Sequence, residues 1–275
     1  MSAADGKSPG RWAVILGVSA GTGAAAARAL ARDAGMNVFG VHRGNFAADA
    51  EALEAEIRQL GRRAHMQVAD AGTAEGARRG AEALLALAGR RSVGTFVHSI
   101  AAASVGHFTG DDAFHPKQFE KTFSYMAHSF VYWTQALLDL DLLAPGARLF
   151  GLTNSLHDSQ LHNTGMIAAS KAALEMYIRY LAMELGPRGH RVNLLKFGTV
   201  VTPALRRVLG ESAMQRLEAA HKEMIPAGRM CTLDEVARLL ALLASSEECA
   251  WFNGATIDFT GGMTLRLLDL VLRPE

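Results

Sequence analysis

The chain has 275 residues, 49% hydrophobic and 20% charged, with a formal net charge of +1. That length and apolar content suit one large α/β domain, and the near-zero charge gives no long-range field to draw nucleic acid or an anionic membrane surface. Cys231 and Cys249 form no CxxC pair and no disulfide framework, and no apolar run reaches the roughly 18 residues of a membrane span. With an opening MSAADGKSPGRW that lacks the apolar core of a signal peptide, a cytoplasmic protein is expected.

In chain order, the apolar run WAVILG (12–17) ends in glycine and precedes a small-residue helix, AAAARALARDAG. NVFGVHR (37–43) predicts a second strand and 47–61 a charged amphipathic helix. RAHMQVAD (63–70), a helix over 73–89 and SVGTFVHSI (92–100) continue the alternation. A long helix follows, with the stripe Phe119, Phe123, Met126, Phe130, Trp133 and Leu137. Strands at 147–153 and 190–198 flank another helix, and a less regular stretch covers 199–230. A helix at 233–245 and the strand ATIDFT (255–260) close the chain. Alternating strands and helices, with several strands apolar on both faces, predict a parallel sheet covered on both sides. The fold class is therefore α/β, a doubly wound Rossmann-type sheet in three αβα layers. Residues 1–275 are expected to form a single dinucleotide-binding domain, with 199–230 a substrate-lid insertion or a packing helix pair.

The first strand-to-helix loop reads Gly17-Val18-Ser19-Ala20-Gly21-Thr22-Gly23. Glycines there allow a tight turn and bring backbone N–H groups against a pyrophosphate at the helix N-terminus, although a plain βα turn has the same look. The second strand ends in His42-Arg43, where an acidic residue would bind a ribose 2′-hydroxyl. A basic pair suits a 2′-phosphate, so NADP(H) is expected rather than NAD(H). Asp70, closing the third strand, suits either an adenine amine or a turn before Gly72-Thr73.

Stepping back from Leu185 in turns of three and four meets Leu181, Ile178, Leu174, Lys171, Ile167 and Thr164. Lys171 is the exception on an otherwise apolar stripe, and a lysine is almost never fully buried without a partner.

GVSAGTG, VHSIA (97–101), ASKAALE around Lys171, RVN (191–193), GTVVT (198–202) and the segment from PAGRM to NGATIDFTGGM together resemble the short-chain dehydrogenase/reductase family over roughly residues 11–262. VHSIA, SFVYWTQALL and KAALEMYIRYLAMELGPRGHRVN are similar to its bacterial enoyl-acyl-carrier-protein reductases. The resemblance implies nicotinamide-dependent reduction of a carbonyl or a conjugated double bond. It implies that Lys171 binds the nicotinamide ribose and lowers the pKa of a nearby tyrosine. It also implies that Ser99, Ile100, Ala101, Gly198, Val200 and Thr202 line the cofactor, and that the long helices at 115–142 and 165–186 build a homotetramer.

The sequence departs from that pattern where a tyrosine is expected. Four residues before Lys171 stands Ile167, and seven before stands Thr164. The family's serine position is Asn154, with Ser155 beside it, and no asparagine lies in the central helix. Helical side chains at these spacings share a face, so Lys171 leans toward Ile167 and Thr164. His157, on the loop after the fifth strand, titrates near neutrality and is the candidate relocated acid or base, or else a surface histidine. Asn154, Ser155 and Asn163 are polar supports or turn residues. Tyr125, His128 and Tyr132 lie off the main stripe of the central helix and read as cleft residues, core or subunit contact. No His, Cys, Asp or Glu grouping has metal spacing, so no metal is expected.

Three functions remain in view. The first is an NADPH-dependent reductase of an enoyl or keto group on a hydrophobic or acyl-type substrate, such as an acyl thioester. The second is a dehydratase, isomerase or cyclase on the same scaffold. The third is a catalytically inactive nucleotide-binding protein.

Overall fold

The structure, a computed structural model, describes residues 10–155, 162–263 and 265. Among these residues, seven strands form one parallel sheet: β1 (Trp12–Leu16), β2 (Asn37–His42), β3 (Ala64–Val68), β4 (Val93–His98), β5 (Leu143–Thr153), β6 (Arg191–Phe197) and β7 (Thr256–Phe259). Their order is β3-β2-β1-β4-β5-β6-β7, so the winding reverses between β1 and β4. The helices are α1 (Gly21–Arg32), α2 (Ala47–Gln59), α3 (Ala74–Ala88), α4 (Pro116–Phe123), α5 (Ser129–Asp139), α6 (Gly165–Leu185), α7 (Pro203–Met224) and α8 (Leu233–Ser245).

The strands are apolar on both faces because both are covered, as a parallel sheet requires. With a side-chain period of two, Trp12, Val14 and Leu16 of β1 face α3, α5 and α6, while Ala13 and Ile15 face α1 and α8. The α6 stripe lands as expected, with Leu174, Ile178, Leu181 and Leu185 buried on the sheet. Gly80 of α3 gives way to Trp133 of α5, since an added Cβ would lie 2.3 Å from its ring. The Trp133 indole N–H donates to the Ala71 carbonyl at 3.2 Å.

Two segments differ from the sequence expectation. The long central helix is broken by a π-helical turn, Ser124–His128, in which the Ser129 N–H reaches back to the Ser124 carbonyl. This turn shifts the register of the stripe, so Met126, Phe130, Trp133 and Leu137 are buried but Phe119 and Phe123 are not. Phe119 packs instead with Phe108 and Phe114 of the preceding loop. The irregular-looking stretch after β6 holds the 22-residue α7, started by Thr202 as N-cap and kinked at Gly210 (φ 70°). Among the described residues, no helix is long and apolar enough to cross a membrane.

Candidate dinucleotide cleft and active site

The reversal of strand order opens a crevice beyond the carboxyl ends of β1 and β4. Gly17 continues β1 with φ 79°, and a Cβ there would meet the Ser99 carbonyl oxygen at 2.4 Å. Gly23 lies as close to the same loop, where a Cβ would be 2.1 Å from the Gly17 carbonyl oxygen. Both positions need glycine so that α1 can begin directly beneath the loop. The Ala20 N-cap supplies no side-chain hydrogen bond, and the first turn of α1 carries no acidic residue. Uncapped N–H groups at a helix start, beside backbone with no Cβ, fit a pyrophosphate. Ser19, Ser99, Ile100 and Ala101 line this cleft of about 190 Å³.

At its far end, Arg43 is exposed and its guanidinium stands 5.3 Å from the centroid of the Tyr125 ring. The basic pair of the sequence is one cation only. His42 is buried, its Nδ1 accepts the Gly44 N–H at 3.3 Å, and burial lowers its pKa. The Asp70 carboxylate accepts the Tyr125 hydroxyl at 2.6 Å and the Gly72 N–H at 3.1 Å. Asp70 thus holds the turn through Oδ1, while Thr73 caps α3 through the Gly76 N–H.

At the inner end, Lys171 is 5% exposed. Its ammonium donates to the Leu152 carbonyl at 2.8 Å and toward the Ile100 carbonyl at 3.5 Å. Burial lowers its pKa to about 8. His98, at the end of β4, is buried and its pKa falls to about 3, through burial first and the Lys171 charge second. The π-helical turn explains that histidine. The Tyr125 carbonyl, displaced from the helical ladder, accepts the Ser129 hydroxyl at 2.9 Å. With its proton so used, Ser129 Oγ accepts from His98 Nε2 at 2.8 Å, leaving Nδ1 as the unprotonated, unpartnered nitrogen among the described residues.

The family model described as enoyl-(acyl carrier protein) reductase matches residues 17–264. The chain belongs to this family of short-chain dehydrogenases/reductases. An uncharacterized oxidoreductase of Methylorubrum extorquens is 29% identical over 94% of this chain and 99% of its own length. A 1-cyclohexenylcarbonyl-CoA reductase of Streptomyces collinus is 26% identical over 92% of this chain and 86% of its own. A Burkholderia cenocepacia short-chain dehydrogenase, solved in complex with NADP, superposes with a TM-score of 0.80 at 27% identity, covering 92% of this chain and 97% of that one.

In this short-chain dehydrogenase/reductase the remaining sequence candidates separate. Thr164 is the N-cap of α6, half-buried, with its carbonyl taking the Ala168 N–H at 3.0 Å. Asn154 is half-buried at the end of β5, and the buried Ser155 donates to the Met263 sulfur at 2.7 Å. His157 lies outside the described residues. Thr22 stands in the first turn of α1, and Thr202 caps α7 by accepting the Leu205 N–H at 3.0 Å. A Cβ on Gly21 would lie 3.5 Å from Thr202, which brings the start of α7 against the glycine loop. Gly198 lies against the Thr260 carbonyl, and Val200 bridges to Cys231.

Of the four tyrosines, Tyr125 lies in the cleft, while Tyr132, Tyr177 and Tyr180 line a separate groove between α5 and α6. In that groove the Tyr177 hydroxyl and His128 Nδ1 are 3.0 Å apart. Sequence spacing understated Tyr125, because only the π-helical turn aims it at Asp70. It also passed over Phe108, whose ring packs on Gly165 at the start of the Lys171 helix, where an added Cβ would lie 2.3 Å from it. A phenylalanine cluster preceding the central helix was the available signal.

Proposed function

We propose that this protein is an NADPH-dependent reductase of an enoyl or keto group on a hydrophobic or acyl-type substrate, at a site without the family's tyrosine. The observation that carries this reading is Lys171, a buried ammonium bonded to the Ile100 backbone that lines the glycine-cradled cleft. Arg43, exposed at the opposite end, supports a 2′-phosphate, and so does the NADP complex of the Burkholderia relative. Bound there, the reduced nicotinamide supplies a hydride to the substrate.

Lys171 holds the nicotinamide ribose and steadies negative charge developing on the substrate oxygen. Thr164 stands where the enoyl reductases place a phenol, and its hydroxyl polarises or holds a water but is a poor acid. Ketone reduction needs a proton on oxygen in step with hydride transfer. Enoyl reduction leaves an enolate that water can protonate at carbon, so the residues favour an enoyl substrate. Asn154 and Ser155, at the end of β5, are further polar candidates, and His157 stands as the relocated acid or base that the sequence offers. The Phe108, Phe114 and Phe119 cluster beside the α6 start supports a hydrophobic acyl chain, as does the name of the Streptomyces relative. Residues 199–230, kinked at Gly210, serve as the substrate lid. The groove of about 600 Å³ between α5 and α6 is the subunit contact of a homotetramer.

The test is NADPH oxidation with a panel of enoyl thioesters and cyclic enones. Stoichiometric consumption with at least one enoyl substrate is expected. No oxidation with any member overturns the reading, and turnover without net NADPH loss replaces it by dehydration, isomerisation or cyclisation.

A further inference from the structure

We propose that Tyr125 is a positioning residue for cofactor selectivity, holding the Arg43 guanidinium where a ribose 2′-phosphate meets it. This rests on the NADP(H) reading above and adds the residue that would make Arg43 effective.

An exposed arginine spreads over many rotamers, and fixing it on a phosphate costs side-chain entropy. Arg43 stands over the Tyr125 ring, with its guanidinium carbon 5.3 Å from the centroid. Such a contact restricts the fork before any ligand arrives. The ring in turn is fixed from three sides. Its hydroxyl donates to Asp70 at 2.6 Å, across 55 residues of chain. Its edge lies on Gly72, where a Cβ would sit 2.7 Å from the ring, so the seat exists only because residue 72 is glycine. Its backbone belongs to the π-helical turn, whose freed carbonyl is taken by Ser129 and His98. A π-helical turn inside a helix commonly marks a functional position, and here it turns Tyr125 out of the core stripe into the cleft.

The carboxylate is arranged for the same purpose. Both of its hydrogen bonds fall on Oδ1, from Tyr125 and Gly72, leaving Oδ2 for an adenine amine. Burial and the Asp70 hydrogen bond raise the Tyr125 pKa, so its hydroxyl stays protonated as the donor that this geometry needs. The adenosine end is thus a chain of contacts, Gly72 to Tyr125 to Arg43, with Asp70 locking the middle member.

Calorimetric titration of the full chain with 2′,5′-ADP and 5′-AMP isolates the 2′-phosphate. The wild type should prefer 2′,5′-ADP. In Tyr125→Leu that preference should fall roughly three- to ten-fold, with 5′-AMP affinity little changed. Tyr125→Phe, which keeps the ring face, should restore most of it, and Arg43→Ala should abolish it. Gly72→Ala pushes the ring off its seat without touching Tyr125 and should lower the preference as Tyr125→Leu does. An unchanged preference in either folded variant, with Arg43→Ala still losing it, overturns the role of Tyr125 and leaves the cofactor reading standing. A wild type that binds both nucleotides equally overturns the cofactor reading itself.

Discussion

Lys171 Nζ lies 2.8 Å from the Leu152 carbonyl oxygen, which ties the ammonium on the buried face of α6 to the end of β5. Carbonyl oxygens stabilise the cation but do not replace the water lost on burial, so the pKa drops from 10.5 to about 8. Between those two values the unfolded chain holds a proton that the folded chain has released. Stability attributable to Lys171 therefore rises as pH rises from about 8 toward 10.5, by at most ~1.4 kcal/mol per unit. Urea midpoints should show wild type gaining on Lys171→Met across that window. A constant difference between the two proteins would mean that Lys171 keeps its ordinary pKa in the fold, as a solvated ammonium does. If its charge acts in turnover, NADPH-dependent activity should decline as pH rises through about 8.

His98 works in the opposite range. Its folded pKa of about 3 lies below the ordinary 6.5, so the unfolded chain gains a proton first on acidification. The stability it contributes is complete above about 6.5 and is lost as pH falls toward 3. His98→Gln should be less acid-sensitive than wild type between those limits, measured by urea midpoints at each pH. It should also weaken binding of 2′,5′-ADP, because His98 and Ser129 share the Tyr125 carbonyl.

Gly23→Ala places a methyl group 2.1 Å from the Gly17 carbonyl oxygen if nothing moves. The nearest atoms are all backbone, of Gly17 and Val18, so no flexible side chain can give way. A loss of about 1–3 kcal/mol in stability is expected, together with loss of dinucleotide binding, read by thermal unfolding with and without NADPH. A variant that still gains the wild-type shift with NADPH would show that the loop is not the pyrophosphate cradle.

Thr164→Val keeps the shape of the α6 N-cap and removes its hydroxyl. If that hydroxyl polarises the substrate oxygen, kcat on an enoyl substrate should fall about ten-fold or more while NADPH affinity stays unchanged. Unchanged kcat would assign the task to water or to another group of the mouth.

The strands, the helices over 47–61, 73–89 and 233–245, and the Lys171 stripe were legible because period-two and period-3.6 patterns each bury a defined face. The glycine loop was legible because close backbone approach excludes a Cβ. Other features were not. Helix α7 carries little apolar patterning, although Thr202-Pro203 is a start signal that could have been read. His42-Arg43 read as two cations, because a sequence shows residue type and not burial. The β2 register buries the histidine ring, and burial removes its charge near neutrality.

By itself the sequence determined an alternating α/β chain, a glycine-rich loop between the first strand and helix, a lysine on an apolar face and the absence of a tyrosine four or seven residues before it. Those properties are local, written in spacings of two, three and four. Tertiary structure decided which groups meet: Lys171 with carbonyls 19 and 71 residues away, Tyr125 with Asp70, and His98 with a helix broken into a π-helical turn. The physical reason is that a displaced helical carbonyl or a buried ammonium is tolerated only where distant backbone and side chains supply its hydrogen bonds. Such partners exist only once the strands have paired.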